Sequence, residues 1–318
     1  MRYLAIAALF ILCACSATGG ARSRSGTVAN IPRLRIAMVT HQAPGDTFWD
    51  IVRHGAEAAA ANDDVNLIYS NDPSASAQAV LIQNAIDQRV DGIAVTLPAP
   101  DALAAAVKRA QRAGIPVIAF NAGFDAWKRL GIPMYIGQDE EFAGRTAGQR
   151  LSAEGAKHVL CVVQFQGQVQ LEARCKGLQE GLNGARSEKI YVNGADMPSV
   201  RSTITAKLQE DPSIDYVATL GAPIALTAVQ AVKSAGSKAH IVTFDTNKQL
   251  VRTIQNGSVQ WAIDQQPYLQ GYEAVDTLWL LITNGDVLGG GRPILTGPTF
   301  IDSSNVGAIA QYAAKGTR

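Results

Sequence analysis

Asn121 and Asp245 each close a short apolar run with a polar side chain. The runs are GIPVIAFN, beginning at Gly114, and AHIVTFD, beginning at Ala239. Their β-branched content is that of buried strands, so each ends by offering a hydrogen-bonding group where its predecessors offer only packing. Other strand-like runs end in the same manner. LRIAMVT leads to Asp46, Phe48 and Trp49, and HVLCVVQF to a helix carrying Arg174; PMYIG leads to Gln138, and SVQWAID to Gln265. Carboxylates, amides, one guanidinium and two adjacent aromatics suit a neutral polyhydroxylated ligand. Hydroxyls donate and accept, carboxylates and amides answer them in fixed geometry, and an aromatic face covers the CH side of a ring. Plainer roles exist for the same residues. Asn and Asp are common helix caps and turn formers, and one of Phe48 and Trp49 is expected mainly to pack the first helix.

Other chemistry finds little support. His41, His54, His158 and His240 are scattered, without the spacing of a metal site. No nucleophile and base are recognisable as a pair, and AMVTHQAPGDTFW lacks the GxGxxG of a dinucleotide site after the first strand. We therefore expect no catalysis, cofactor or metal. The formal charge of +1 and the lack of a Lys/Arg cluster argue against nucleic acid as a partner.

The elements that must position these residues alternate along the chain. From Leu34, LRIAMVT reads as a strand, FWDIVRHGAEAAAA as a helix and VNLIY as a strand. SASAQAVLIQNAIDQ reads as a helix whose apolar positions Val80, Leu81, Ala85 and Ile86 recur at helical spacing. Two longer segments match each other, VDGIAVTLPAPDALAAAVKRAQRAGIPVIAFN from Val90 and IDYVATLGAPIALTAVQAVKSAGSKAHIVTFD from Ile214. Each is strand, turn, Ala-rich helix and strand, displaced by about 123 residues, which makes them two copies of one architecture. Apolar strands each followed by a helix imply an α/β protein with parallel sheets covered on both faces, here two doubly wound lobes. The 318 residues, 47% hydrophobic and 17% charged, suffice for two ordinary cores. In such sheets the ligand crevice lies beyond the carboxyl ends of the strands. If the lobes face each other, Asn121 and Asp245 look into one shared cleft.

The first residues read as a targeting segment. A basic Met1-Arg2 precedes YLAIAALFILCA, an apolar stretch too short to span a bilayer as a helix. Leu12-Cys13-Ala14-Cys15 resembles a bacterial lipoprotein box, so residues 1–15 are expected to be a signal peptide and lipobox. Cys15 is then either lipidated or lost with a plain secretion signal. Residues 16–33, polar and Gly/Ser-rich, read as a flexible tether. After export only Cys161 and Cys175 are left. An oxidising compartment permits them to pair, stapling a strand to the next helix, and two buried free thiols are the alternative.

Taken in order, DTFWDIVRHGAEAAA, VDGIAVTLPAPDALAAAVKRAQRAGIPVIAFN, YIGQDEEFAGRTAG, LEARCKGLQEGL, IVTFDTN and IDQQPYLQGYEAV resemble the simple-sugar solute-binding proteins of bacterial ABC importers, the family of the ribose and galactose binders. The resemblance runs from about Leu34 to about Gly307, and LCVV…RCKG is similar to a branch of the family with paired cysteines at these two places. It implies a type I periplasmic binding protein, a monomer with two lobes joined by a hinge crossed near Gln138, near Gln265 to Pro267 and near Gly297. The N-terminal lobe would be 34–138 with 266–296, and the C-terminal lobe 139–265 with 297–318. Carried over by position, Asp46, Phe48, Trp49, Asn121 and Gln138 fall where the family binds ligand from the first lobe. Arg174, Asp245 and Gln265 fall where it does so from the second lobe and hinge.

Two departures alter the expected ligand. Asn121-Ala122 stands where the ribose binder has Asp followed by Arg, and Gly221 where it has Asn. A buried hydroxyl left without its partner costs about 1 to 3 kcal/mol, so a different monosaccharide or a sugar alcohol is expected instead of ribose. The resemblance implies capture by closure and delivery to an ABC permease; a receptor that reports its ligand to a chemotaxis or sensor protein is the alternative. The same lobes occur in Lac-type repressors, but an export signal stands here where those have a helix-turn-helix.

Overall fold

A computed structural model describes residues 33–318. The expected signal peptide, lipobox and most of the tether, with Cys15, lie outside the described residues. The strands are β1 (Arg35–Thr40), β2 (Asn66–Asn71), β3 (Gly92–Val95), β4 (Val117–Phe120), β5 (Tyr135–Gly137), β6 (His158–Val163), β7 (Arg186–Tyr191), β8 (Tyr216–Thr219), β9 (His240–Phe244), β10 (Trp261–Asp264), β11 (Ile294–Leu295) and β12 (Thr299–Asp302). The helices are α1 (Phe48–Asn62), α2 (Ala75–Asp87), α3 (Pro100–Arg112), α4 (Glu140–Ala153), α5 (Val169–Gly181), α6 (Met197–Glu210), α7 (Ala222–Ala235), α8 (Lys248–Gln255), α9 (Pro267–Asn284) and α10 (Val306–Ala314).

Two six-stranded sheets result, ordered β11-β5-β4-β3-β1-β2 and β12-β10-β9-β8-β6-β7. Every pairing is parallel except β10 with β12, which is antiparallel. The chain crosses from one sheet to the other three times: between Gly137 and Glu140, between Asp264 and Pro267, and between Leu295 and Thr299. β12 enters its sheet directly from the last crossing, with no helix to reverse the chain, and a parallel neighbour would require one.

Each sheet is buried on both faces, which explains the unbroken apolar runs of its inner strands. In the first, α2 and α3 cover one face through Ile82, Leu103 and Val107, and α1 and α9 the other through Val52, Ala274 and Leu278. In the second, α6, α7, α8 and α10 cover one face and α4 with α5 the other. The edge strands β2 and β7 are partly exposed along their length, unlike the buried inner strands. The apolar spacing of α2 also needs correction. Its buried positions are Gln78, Ile82 and Ala85, whereas Val80 is 58% exposed. Two residues turn a helix by about 200°, so Val80 and Ile82 fall on opposite faces.

One helix contact matters most for the site. A Cβ on Gly144 of α4 would lie 2.2 Å from the carbonyl oxygen of Arg174, and one on Gly177 of α5 2.0 Å from that of Glu141. Glycine at both places lets the backbones of α4 and α5 approach where a side chain would clash, bringing the first turn of α4 against Arg174. A disulfide joins Cys161 of β6 to Cys175 of α5, with the Cα atoms 6.0 Å apart, and fixes α5 to its sheet from the other side.

Candidate ligand-binding cleft

The carboxyl ends of the two sheets face each other across a cavity of about 620 Å³, counting the part open to solvent. Asp46, Phe48, Trp49, Asn121, Arg174, Asp245 and Gln265 line it. Gln138 does not. It is fully buried behind the cavity wall, where its Nε2 donates to Glu140 Oε2 at 2.8 Å.

Asn121 and Asp245 occupy equivalent positions. The backbone N–H of Asn121 donates to Ile136 at the end of β5 (2.8 Å), and that of Asp245 to Ile263 at the end of β10 (2.7 Å). Both residues are left-handed, with φ of 62° and 64°. Asn and Asp are the non-glycine residues that tolerate this region best. The turn-forming reading is therefore correct for the backbone, and the same turn aims both side chains at the cavity. Gln265, in the hinge, links them. Its Nε2 donates to Asp245 Oδ1 at 2.8 Å, and its Oε1 accepts from Asn121 Nδ2 at 3.2 Å. Asn121 Nδ2 also donates to Gln270 Oε1 at 3.0 Å, which leaves its carbonyl oxygen for the cavity.

Arg174 is 3% exposed and held from three sides. Nε and Nη2 donate to the two carboxylate oxygens of Glu140 (2.6 and 3.0 Å), and Nη1 donates to the carbonyl of Leu220 (3.1 Å). Its guanidinium carbon lies 4.6 Å from the centroid of Phe244, and Asp245 Oδ2 stands 3.7 Å from Nη1, a longer ion pair. Burial pushes the Asp245 carboxyl up to about 7, although Arg174 and Gln265 oppose the shift. It pushes Asp46 up to about 6, against the opposing hydrogen bond from the Phe48 backbone. Asp245 accepts from Gln265 Nε2 and Asp46 from the Phe48 N–H, both through Oδ1, and hydroxyls of a ligand in the cavity would add donors that favour the charged forms.

Phe48 and Trp49 both belong to the core under α1 and both reach the cavity, so neither is confined to packing. They meet edge to face at 5.1 Å, and Trp49 meets His41 in the same way at 4.7 Å. At Gly221 the missing side chain is partly replaced. The Gln164 amide lies over it, 3.2 Å from where a Cβ would be, and donates to the Leu220 carbonyl at 3.3 Å. Ala122, which stands where the ribose binder has Arg, is fully buried and brings no charge.

Sequence reasoning missed Glu140, His41, Gln168 and Gln170. The last three form a bridge between the lobes. Gln170 Nε2 donates to Gln168 Oε1 (2.9 Å) and reaches His41 Nε2 at 3.0 Å, while His41 Nδ1 meets Thr96 Oγ1 at 2.8 Å. This assigns the neutral tautomer with its proton on Nδ1. Burial, with Arg174 adding to it, lowers the His41 pKa to about 3 and keeps the ring uncharged. Val169 N–H to the Pro98 carbonyl (2.9 Å) and Asn247 Nδ2 to Thr47 Oγ1 (3.1 Å) also cross the cleft. The structure is therefore a closed one.

Two facing Rossmann-like lobes, a three-stranded hinge and a polar cleft closed by contacts between the lobes define a type I solute-binding protein. Residues 36–286 match the model of the periplasmic binding protein domain family, and the chain belongs to that family. Among curated relatives, the xylose/arabinose-binding protein of Sulfolobus acidocaldarius is 25% identical over 88% of this chain and 74% of its own. The ribose import binding protein of Bacillus subtilis is 24% identical over 84% and 88%. A solved structure of a carbohydrate transporter from Acidothermus cellulolyticus 11B, in complex with myo-inositol, is 64% identical, with a TM-score of 0.89 over 90% of this chain and all of that one. The relatives are sugar-binding proteins of ABC importers, a class that binds solutes and is exported. They do not favour the sensory-receptor alternative.

Proposed function

We propose that this protein captures a neutral cyclic polyol, with myo-inositol as the first candidate, and delivers it to an ABC permease by closure of its lobes. The observation that carries the reading is the convergence of Asn121 and Asp245, from equivalent strand ends of the two lobes, on one cavity and on Gln265. Asp46, Asp245 and the Asn121 carbonyl accept from hydroxyls, Arg174 donates to them, and Phe48 and Trp49 cover an apolar ring face. The relative with bound myo-inositol supports this choice of ligand over ribose, in keeping with the loss of the Asp-Arg pair at Asn121-Ala122.

In this mechanism the moving bodies are 34–138 with 266–296 and 139–265 with 297–318, hinged at the three crossings. Ligand held between them favours the closed state through contacts that the open state lacks. The protein acts as a monomer, exported and anchored through lipid on Cys15. Thermal denaturation of the purified protein tests the ligand. At one hundred times its Kd, myo-inositol should stabilise the native state by about 2.7 kcal/mol and raise Tm by a few degrees. It should bind in 1:1 ratio by calorimetry and be recovered unchanged. A rise in Tm with pentoses and none with any cyclitol would overturn the proposal.

A further inference from the structure

Glu140 does not line the cleft but stands directly behind it, paired with the Arg174 that does, and so places a charge there that the proposed ligand does not need. Asp46, Glu140 and Asp245 surround a single guanidinium, that of Arg174; with all three ionised the cluster holds three negative charges and one positive, a net of −2, and because burial raises Asp46 and Asp245, a bound cation would draw both carboxyls to that state. All but Asp46 are at least 95% buried, with exposures of 3% for Glu140 and Arg174 and 5% for Asp245. His41, the remaining basic group at the cavity, is neutral. Neither of the other carboxylates is closely matched by a cation. Arg174 reaches Asp245 only at 3.7 Å, and no ion pair to Asp46 forms among the described residues.

The geometry of the pair decides what Arg174 can bind. Guanidinium recognises carboxylates and phosphates through two parallel N–H bonds. The Nε–Nη2 edge of Arg174 is filled by Glu140 at 2.6 and 3.0 Å, Nη1 is drawn to the Leu220 carbonyl, and Phe244 covers one face. An arginine left to itself would make the cavity an anion site. Here its best edge is occupied by a carboxylate of the same chain, supplied across the close α4–α5 contact. A ligand ammonium, in contrast, would find two cavity carboxylates, Asp46 and Asp245, with no close cation on either, Asp245 lying 3.7 Å from Arg174 Nη1.

We infer that Glu140 sets the ligand-charge selectivity of this cleft, so that it accepts neutral cyclitols and their amino-substituted analogues and rejects anionic sugars. The inference rests on the proposed polyol-binding function and adds a rule about charge. Its test is isothermal titration of the wild-type protein and Glu140→Gln with myo-inositol, with an aminodeoxy-inositol and with D-glucuronate. The wild type should bind the amine at least as tightly as myo-inositol and show no heat with D-glucuronate. In Glu140→Gln the affinity for the amine relative to myo-inositol should fall at least tenfold. An amine bound tenfold or more weakly than myo-inositol by the wild type would overturn the inference, as would an unchanged ratio in the variant. If the variant fails to fold, the wild-type ratio decides alone. Should the neutral ligand prove to be a hexose, the proposed function fails while the charge rule is still read, from D-glucosamine against D-glucose.

Discussion

At the end of β4 Asn121 turns into the left-handed region at φ 62°, and at the end of β9 Asp245 does the same at φ 64°. Their backbone hydrogen bonds match to within a tenth of an ångström, 2.8 Å to Ile136 and 2.7 Å to Ile263. Their side chains have diverged. Asn121 gives both amide hydrogens to glutamines of the hinge side, whereas Asp245 sets an ionisable carboxyl beside a buried guanidinium. The helix pairs beneath them show the same contrast. A Cβ on Gly55 of α1 would come within 1.9 Å of the Tyr268 carbonyl oxygen at the start of α9, an approach as close as that of α4 to α5. Only the α4–α5 pair turns this proximity into an ion pair. A common backbone plan thus supports an N-terminal rim that is neutral except for Asp46 and a C-terminal rim organised around Arg174.

The largest expected effect comes from breaking that asymmetry at its centre. Arg174→Met keeps the volume but leaves Glu140 buried at 3% exposure with no cation. Removing one partner of a buried pair typically destabilises by about 3–5 kcal/mol, so the midpoint of urea unfolding should fall markedly. Ligand affinity should fall at least tenfold, given about 1.5–3 kcal/mol for a charge-assisted bond. A variant as stable as the wild type would show that the pair carries no structural weight.

A second effect, confined to the C-terminal lobe, sharpens the comparison. Cys161 and Cys175 span a short loop that includes Arg174, and the described residues of the N-terminal lobe contain no disulfide. Replacing both cysteines with Ala should lower stability by about 2–4 kcal/mol in thermal or urea denaturation. Affinity should change by less than about threefold, because the contact with α4 and the Glu140 pair still hold α5 independently. A large loss of affinity without loss of stability would mean that the disulfide, more than Glu140, positions Arg174.

The lobes, their doubled plan and the polar strand ends were legible because each is a local pattern: apolar runs, Ala-rich helices and a polar residue at a fixed place after them. Asn121 and Asp245 could be found from the sequence because the left-handed backbone and the proposed ligand both favour Asn or Asp there. Glu140 could not. It stands beside Gln138 and Asp139 in an acidic first turn that looks like ordinary N-terminal helix chemistry, and its partner lies 34 residues further on. The available signal was the pair of glycines at Gly144 and Gly177, which force α4 against α5. His41 and Gln170, separated by 129 residues, meet only when the lobes close, and no periodicity reports such a contact. The antiparallel β12 was hidden for a related reason, since its direction follows from the third crossing of the hinge and not from its own residues.

The smallest effect separates the two reasons for a polar strand end. At both Asn121 and Asp245, Gly keeps the left-handed backbone and Ala does not, while either substitution removes the side chain. Stability should therefore differ between the Gly and Ala variants by about 1–2 kcal/mol at each site, the cost of a left-handed β-carbon. Ligand affinity should instead depend on the position. Both Asp245 variants lose a carboxylate acceptor worth about 1.5–3 kcal/mol, and both Asn121 variants a neutral one worth about 0.5–1.5 kcal/mol. Calorimetry on the four proteins, with unfolding curves for each, reads the two quantities separately. Equal losses of affinity at the two sites would mean that the lobes contribute alike to ligand, and that the charge on the C-terminal rim serves only to hold Arg174 in place.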